Sequence, residues 1–426
     1  MIRTLALAGL ALTQNAAAQN LLVPIPAPDG VDVPRFRAAG TAINADGSAV
    51  TGDIANRGGP TTGSFFWRRG DGTRIIGPGP FGLEITAATD LAADGSVVVG
   101  RGLLPPDLHV PVRWTEAGGL EDIPLPPIAL DGAALNVNAN GSVTLILVTV
   151  EDDQLVQSDA LLLHIEGRGF LRVEVEDLGR PVVDTGPRPG ATLSGDGRTV
   201  FGVIETTEGF APFRWTEKSG AEVLEGSGGI DAPSVREFNA ASADGSVAVG
   251  VFWDGGLRRG FRWTESGGFE PLPDGPFDRF GEAIDCSADG EVVVSGGSLW
   301  TPVDGTRSFA RLADRLFPFT GDVEIDTGDM RAVSADGRTF TGHAFVRDNV
   351  NDITTEAFAM TLERACSDAD FEFPRGVLSH RDVTTFVERY LGSSPTAARL
   401  AEPFGSATSA DIDRFVDLFF EGCPGL

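Results

Sequence analysis

Short stretches in which apolar and polar residues alternate, separated by glycine-containing turns, recur along most of the chain. The clearest copy spans residues 238–273. There Phe261 and Trp263 flank Arg262, which is the period-two alternation of a half-buried strand. The pair Asp244-Gly245 lies between two apolar runs and predicts a β-hairpin, because both residues tolerate the positive φ that a two-residue turn requires. With a last short strand that ends in proline, each copy is expected to form four strands, the last at an edge.

The Asp-Gly or Asn-Gly turn recurs at intervals of 45 to 56 residues, with a mean of about 48. A four-stranded unit with this period is typical of a β-propeller blade, whereas the rung of a β-helix is shorter. The sequence therefore predicts an all-β, seven-bladed propeller, with roughly one blade per turn. The seven structural turns are Asp46-Gly47, Asp94-Gly95, Asn140-Gly141, Asp196-Gly197, Asp244-Gly245, Asp289-Gly290 and Asp336-Gly337.

An aromatic strand follows the turn in most units, and its rings are expected to fill the space between blades. In the sixth unit we expect this strand at Phe309-Ala310-Arg311, and in the seventh at Phe358-Ala359-Met360. Trp300 lies ten residues after its turn glycine and is expected to correspond to Trp253 instead of Trp263. The four clear copies are Phe65-Phe66-Trp67, Val112-Arg113-Trp114, Phe213-Arg214-Trp215 and Phe261-Arg262-Trp263.

The seventh unit ends at Arg364 without a fourth strand, and a similar segment occurs near the N-terminus. Residues 21–26 resemble the fourth strand at residues 120–126. We expect residues 21–26 to be the outer strand of the last blade, which would close the ring and remove two open edges. The third unit is the longest and has a Pro/Gly-rich segment at residues 182–190. This segment could mark a ligand face or be divergence without a function.

Residues 1–18 have the pattern of a secretory signal: Arg3, an apolar run and small residues at Ala16 to Ala18. The run is too short to span a bilayer, and no other stretch is long and apolar enough. The formal charge is −28, from 61 acidic and 33 basic residues. Such a charge repels nucleic acid and anionic lipid. We therefore expect an exported or cell-surface monomer with no integral membrane span and no nucleic-acid partner.

Motifs that carry chemistry are scarce. The four histidines form no metal-binding pattern, and there is no nucleophile elbow or phosphate-binding glycine loop. Residues 322–326 have the acidic spacing of a calcium loop, but Thr327 replaces its glycine and the acids alternate with β-branched residues, so a strand is expected there and at residues 174–177. We predict no catalytic residue, metal or cofactor. Paired carboxylates on the propeller axis, as in glycosidases, stay open.

From residue 365 the pattern changes to helical. Two copies of a capping box followed by apolar residues at i, i+3, i+4, i+7 and i+8 begin at Ser379 and Thr408. Residues 365–426 therefore predict a two-helix module after a propeller over residues 19–364. Cys366 and Cys423 bracket it and are expected to form a disulfide in an exported chain, worth about 4 kcal/mol. Cys286 would remain a buried free thiol.

Two resemblances follow from these motifs. The unit, with its alanine-rich lead, Asp-Gly-Ser, Val-Val-Gly and aromatic-x-Trp-Thr, resembles an extracellular repeat family named for a His-Ala-Phe tripeptide, which occurs here only at residues 343–345, outside the aromatic strand. That family implies an extracellular setting and no reaction. The C-terminal duplication, through residues 376–379 and Asp382-Val383, resembles dockerin-like modules derived from EF-hands. Its first three ligand positions hold Phe371, Phe373 and Arg375, so the resemblance implies helical pairing and docking or sorting without tight calcium binding.

Three hypotheses about function remain after the sequence is read. The first is an exported, non-enzymatic protein that binds a glycan or protein partner, with the C-terminal module used for docking or sorting. The second is a secreted propeller hydrolase or lyase that acts on a polysaccharide. The third is a structural coat or adhesive component. The first is favoured because catalytic motifs are missing and a second module is present.

Overall fold

The computed structural model describes most of the predicted propeller and isolated helical positions beyond it. The described residues are 21–28, 37–55, 61–151, 157–175, 180–182, 190–206, 209–226, 230–275, 280–302, 305–308, 324–326, 329–347, 353–362, 383, 387, 412 and 414–416. The chain divides into two compact units, one of residues 23–311 and 319–359 and the other of residues 1–22, 312–318 and 360–426.

Strands β1 to β30 make up nearly all of the regular structure in the described residues. In chain order they are Leu21–Pro24, Arg37–Ile43, Ala49–Ala55, Thr61–Arg68, Gly72–Ile75, Glu84–Leu91, Val98–Leu104, Leu108–Thr115, Gly119–Asp122, Ala129–Val137, Val143–Glu151, Gln157–Ile165, Gly169–Arg172, Arg180–Val182, Thr192–Leu193, Thr199–Thr206, Gly209–Thr216, Gly220–Val223, Val235–Ala241, Val247–Asp254, Leu257–Thr264, Gly268–Pro271, Asp285–Cys286, Val293–Val294, Ser298–Thr301, Gly305–Ser308, Glu324–Asp326, Met330–Val333, Thr339–Arg347 and Ile353–Thr361. Short 3₁₀ turns lie at Pro80–Gly82 and Ala232–Ser234.

These strands form seven antiparallel sheets, one for each turn, which confirms the predicted seven-bladed propeller. Blades 1, 2 and 3 are β2–β5, β6–β9 and β10–β13, and blades 5 and 6 are β19–β22 and β23–β26. In blade 4 the first strand is split into β14 and β15, and both pair with β16. The extra length of the longest repeat is therefore shared: β11 and β12 of blade 3 have nine residues each, against eight in β20 and β21 of blade 5, and the remainder lies before β15 in blade 4. Blade 7 is similar, with β27 and β28 both on β29.

The N-terminal strand completes the last blade. The strand order of blade 7 places β1 beside β30, at the outer edge of that sheet. The Ile25 N–H donates to the carbonyl of Ala357 at 2.9 Å, and the Ile25 side chain is buried. The sheet pairing agrees with the expectation that the segment at residues 21–26 closes the ring.

Backbone hydrogen bonds close the ring a second time, at the first-strand ends. In six of the seven junctions the residue before the turn Asp or Asn donates its N–H to the equivalent residue of the next blade, and the seventh blade returns to the first. Between blades 4 and 5 the Gly195 N–H donates to Ser242, one residue before the equivalent Ala243. The bonds, 2.8 to 3.3 Å long, run from Ala45 to Ala93, Ala93 to Ala139, Ala139 to Gly195, Gly195 to Ser242, Ala243 to Ala288, Ala288 to Ala335 and Ala335 to Ala45.

The Asp-Gly turns differ from the two-residue turn that the sequence predicts. Only the glycine has positive φ, for example +70° at Gly47, whereas Asp46 does not. In blade 1 the Gly47 N–H donates to Asn44 O, and the Asn44 N–H donates to Ala49 O, so the loop contains four residues. The longer loop lets the aspartate act as an acceptor within the turn.

Each turn glycine also packs against the preceding blade, which is a second reason for glycine there. A Cβ at Gly290 would lie 2.6 Å from the Val247 Cβ, so no side chain fits. The contact repeats around the ring, always with the residue two places after the preceding turn glycine. The pairs are Gly47 with Thr339, Gly95 with Ala49, Gly141 with Val97, Gly197 with Val143, Gly245 with Thr199, Gly290 with Val247 and Gly337 with Val292.

Aromatic rings fill the space between blades, as expected. Phe201 of blade 4 and Trp263 of blade 5 have centroids 5.3 Å apart in one buried cluster. Phe66 of blade 1 and Trp114 of blade 2 are 5.0 Å apart. These edge-to-face and tilted pairs are the geometry that aromatic quadrupoles prefer.

The expected alignment of the sixth unit is wrong. Val293 pairs with Trp300 in blade 6, just as Ala248 pairs with Trp263 in blade 5, so Trp300 is the equivalent of Trp263. The hairpin between the second and third strands is shorter in blade 6, and this moves the tryptophan closer to its turn. Residues 309–311 follow the fourth strand and lie outside the described residues.

Few positions of the C-terminal unit are described. Val383, Val387, Ile412 and residues 414–416 are helical, and the predicted pairing of two helices lies outside the described residues. Phe415 is buried, but Val383, Val387, Ile412 and Val416 are each more than a third exposed. The predicted apolar stripe is therefore not fully buried.

Candidate binding surface

Antiparallel connectivity sorts the loops onto two opposite faces of the propeller. The first strand of each blade runs to its Asp/Asn-Gly turn, and the third strand runs in the same direction to a second tight turn. We call the end that carries both the turn face. The hairpins between second and third strands and the connections between blades lie at the other end, which we call the loop face.

The turn acids are held as acceptors within their own loops. The Oδ1 of each turn Asp or Asn accepts the backbone N–H two residues later, at 2.8 to 3.1 Å in all seven blades. Side-chain hydrogen bonds from Ser48, Ser96 and Ser246 are the largest cause that holds the pKa values of Asp46, Asp94 and Asp244 below their usual range. Asp46, Asp94 and Asp244 are therefore ionised structural groups.

Arginines balance much of the charge on the turn face. Arg68 donates to the Gly95 carbonyl of the next blade at 3.1 Å, and Arg262 donates to Gly290 O at 2.9 Å in the same way. Arg168 and Glu217 form a two-pronged ion pair between blades 3 and 4. Exposed ion pairs of this kind contribute little stability singly, but they leave the turn face polar and neutralise many of its charges.

Two first-strand carboxyls, Asp90 in blade 2 and Asp285 in blade 6, have strongly shifted pKa values. Burial raises the pKa of Asp90 to about 6 and that of Asp285 to about 7. The Asp90 charge contributes a smaller part of the Asp285 shift, so the two groups interact although they lie on different blades.

The oxygens of both carboxyls are already occupied. In Asp90 one oxygen accepts the Leu91 N–H and the other accepts the Val137 N–H of the next blade, both at 2.8 Å. Asp285 repeats this with Cys286 and Val333, also at 2.8 Å. Irregularities in the first strands expose these N–H groups to the neighbouring blade. Both acids therefore tie adjacent blades together, which leaves little capacity for acid–base chemistry.

Asp53 is a third carboxyl of this kind, located on β3. Its Oδ1 accepts the Ala88 N–H of blade 2 at 3.0 Å and the Ser64 hydroxyl at 2.9 Å. Burial raises its pKa to about 6. Thr41 donates to the carbonyl of the same Ala88 at 2.8 Å, so blade 1 satisfies both backbone groups of one residue in blade 2.

Exposed apolar side chains are concentrated at the loop face. In the described part of the propeller, every large apolar residue that is more than a third exposed lies on a loop-face connection, on a loop-face hairpin or at the loop-face end of a first or fourth strand. These residues are Ile75, Phe81, Leu108, Ile128, Leu130, Val223, Trp253 and Leu257. Sequence reasoning missed them, because a single exposed apolar residue in a loop carries no periodic signal.

Four of these side chains belong to neighbouring connections on blades 1 to 3, and we call them the apolar rim: Phe81, Leu108, Ile128 and Leu130. The Phe81 turn lies over the β7–β8 hairpin, since a Cβ at Gly82 would sit 3.3 Å from Pro105 Cγ. Leu108 begins β8 on the far side of that hairpin. Ile128 and Leu130 lie at the start of β10, which runs beside β7 and β8.

Phe81 is held outward by a strained turn. It has φ 58° and ψ 23°, and it is the one non-glycine residue with positive φ in the described chain. Gly82 follows with φ 76°, and the Leu83 N–H donates to Pro80 O at 3.1 Å. Two successive positive φ values are the pattern of a type I′ turn, which strongly prefers Asn-Gly. Phenylalanine in this position is disfavoured, and its ring is 94% exposed.

The remaining predicted groups are placed as follows. Cys366 and Cys423 lie outside the described residues, and Cys286 is a buried free thiol whose pKa is raised by burial. Glu324–Asp326 forms a strand as expected. The strand expected over residues 174–177 is wrong where it can be checked, because β13 ends at Arg172 and residues 173–175 continue without strand pairing.

Among the described residues, no group of three or more His, Cys, Asp or Glu side chains is arranged to hold a metal ion. The described part of the chain also contains no helix that is long and apolar enough to cross a membrane.

Comparisons with known proteins find similar solved structures but no related family or curated sequence. No family model matches the chain, and no curated protein sequence matches it. Among solved structures it is similar to TolB from Acinetobacter baumannii, at 12% identity and a TM-score of 0.39, over 57% of this chain and 56% of that one. It is also similar to an oligogalacturonate lyase in complex with manganese, at 14% identity and a TM-score of 0.47, over 82% of this chain and 99% of that one. A prolyl endopeptidase is similar at 9% identity and a TM-score of 0.48, over 78% of this chain and 51% of that one. This chain thus spans about half of the TolB and endopeptidase chains.

Proposed function

We propose that this protein is an exported, non-enzymatic binding protein whose propeller recognises a glycan or a protein through its loop face. The observation that carries the proposal is the asymmetry between the faces. The turn face is built from charged groups that are paired or hydrogen-bonded, whereas the large exposed apolar side chains lie at the loop face. Contiguous exposed apolar patches mark interaction sites, and the loop face is where the large exposed apolar residues of the described propeller gather.

The proposed export and the proposed docking role rest on features of the sequence. The signal-like pattern of residues 1–18 and the acidic composition support a protein that functions outside the cytoplasm. The helical pattern of residues 365–426 supports a docking or sorting role for the C-terminal module. The propeller and the module would then divide binding and attachment between them.

A polysaccharide hydrolase or lyase is the second candidate, because Asp90 and Asp285 have raised pKa values and the Asp90 charge contributes to the shift at Asp285. Groups with such pKa values are common among general acids and bases. The hydrogen bonds described above argue against this role, since a general acid or base must offer a free oxygen to its substrate.

A binding and turnover screen tests both candidates. The full chain would be passed over immobilised polysaccharides and peptide arrays, and both retention and the release of reducing or unsaturated ends would be scored. We expect retention without product, lost in Phe81→Asn or Trp253→Ala and kept in the turn-face control Glu265→Gln. Product formation that disappears in Asp90→Asn or Asp285→Asn would overturn the proposal and establish the enzyme.

A further inference from the structure

We infer that the apolar rim binds a linear polypeptide segment that carries both large apolar side chains and arginine or lysine. The inference rests on the proposed function and goes further, because it commits to one region of the loop face and to one class of partner. Two independent observations carry it: the strained presentation of Phe81, and the charge around the rim.

The first observation is the conformation of Phe81. A bulky residue with positive φ costs about 1–2 kcal/mol, and an aromatic ring exposed to water gains nothing in the free protein. The hydrogen bonds Gly79 N–H to Leu83 O, 2.8 Å, and Leu83 N–H to Pro80 O hold the turn, and Leu83 anchors it in the core. The turn therefore holds the Phe81 ring in a fixed position. Rigid aromatic anchors are enriched among residues that dominate protein interfaces.

The second observation is the charge around the rim. The rim-bearing segments and the adjoining strand ends contribute an excess of carboxylates over guanidinium groups, which are Arg101 and, at the end of β5, Arg74, whose charge is paired with Glu116 at 3.1 Å. The carboxylates are Glu84, Asp107, Asp131, Glu151 and Asp159. The Asp131 charge contributes to raising the pKa of Asp159, after burial, so negative charges are crowded together here.

Charge selects among the possible partners. A surface that combines carboxylates with apolar anchors attracts a cationic segment and repels anionic chains, and the formal charge of −28 acts in the same direction over longer distances. A neutral glycan would stack on the Phe81 ring but gain nothing from the carboxylates around the rim. A basic peptide with apolar side chains uses both features, so it fits the rim best.

The test is a selection from a random library of short linear peptides on the immobilised full chain, followed by fluorescence anisotropy with the enriched peptides. We expect the enriched sequences to have net positive charge and at least one large apolar residue. Phe81→Asn, which suits the turn better than phenylalanine, should weaken them by about tenfold or more. Glu84→Gln combined with Asp107→Asn should weaken them by about threefold to tenfold and reduce the dependence of binding on salt.

Leu257→Asn is the matched control, because Leu257 is 48% exposed on the loop face of blade 5, away from the rim. It should leave peptide binding unchanged. Enrichment of acidic or uncharged peptides, or peptides that respond to Leu257→Asn and not to Phe81→Asn, would overturn the inference. A selection that enriches no peptide at all would also overturn the inference.

Failure of the inference can be told apart from failure of the proposed function. Retention on neutral glycans that is lost in Phe81→Asn or Trp253→Ala, with no peptide enriched, would overturn the peptide assignment and keep the loop face as a binding surface. Binding of neither class would overturn both.

Discussion

Replacing Phe81 by asparagine is expected to stabilise the protein while removing the most exposed aromatic ring among the described residues. The substitution converts Phe-Gly into Asn-Gly at the two positive-φ positions of the turn, which is the preferred sequence for type I′ geometry. Few proteins gain stability when a large side chain is removed. The expectation therefore depends directly on the φ of 58° at this residue.

The magnitude follows from two terms. Phenylalanine in the left-handed region costs about 1–2 kcal/mol, and asparagine adopts this region with little penalty. The ring is 94% exposed, so its removal forfeits only about 10–15 Å² of buried apolar area, or about 0.3 kcal/mol. The net gain is about 1 kcal/mol, which in a propeller of this size raises Tm by about 2 °C.

Thermal and guanidinium unfolding of the wild type, Phe81→Asn and Phe81→Ala would measure this gain. Alanine removes the ring but keeps a Cβ residue in the left-handed region, so Phe81→Ala should lie within about 0.5 kcal/mol of the wild type. Gly82→Ala should lower stability, because Gly82 has φ 76° and its Cβ would press on Pro105. If Phe81→Asn is no more stable than Phe81→Ala, the backbone is not strained at this position and the reasoning is refuted.

Three further predictions concern the ring. Deleting residues 21–28 should lower the Tm of the propeller by several degrees, because it uncovers β30 and removes the buried Ile25 side chain, whose burial alone is worth about 2 kcal/mol; an unchanged Tm would show that the ring is closed without this strand. Gly290→Ala should destabilise by about 3 kcal/mol and Gly119→Ala by only about 1 kcal/mol, since both have positive φ but only Gly290 packs on a neighbour; equal losses in urea titrations would mean that φ alone requires glycine. Because burial raises the folded pKa of Asp285 to about 7, its contribution to stability relative to Asp285→Asn should be greatest below about pH 4 and lost as pH rises through about 7, by no more than about 4 kcal/mol; a stability difference that is constant with pH would contradict the shift.

Local chemistry that repeats in every blade was readable from the sequence. The seven Asp/Asn-Gly pairs predict seven blades, because each blade needs a turn at the end of its first strand and that turn needs a glycine. The same reading assigned positive φ to the aspartates, which is wrong. Whether a hairpin loop has two residues or four depends on which strand residues pair, and Asp-Gly suits both.

Strand lengths were less accessible than turns. Sequence spacing places Trp300 on the wrong strand because Trp300 lies close to Gly290 in sequence. Only the pairing of Trp300 with Val293 shows that the hairpin between the second and third strands is shorter on both sides. Similarly, the extra residues after Asn140-Gly141 are divided between the β11–β12 hairpin of blade 3 and the first strand of blade 4. A repeat spacing records the total length of a unit but not the position at which residues were gained or lost.

The candidate binding surface was decided by the tertiary structure. Phe81, Leu108 and Ile128 belong to separate connections, and they share a face because antiparallel strands return alternate loops to the same end of the ring. Asp90 and Asp285 interact for the same reason, since the closed ring brings the first strands of distant blades near one another. By itself the sequence determined the number of blades, the turn residues and the acidic charge, because these depend on neighbours along the chain. The outward turn of Phe81, the partners of the buried carboxyls and the contrast between the two faces depend on neighbours in space, which exist only once the ring has closed.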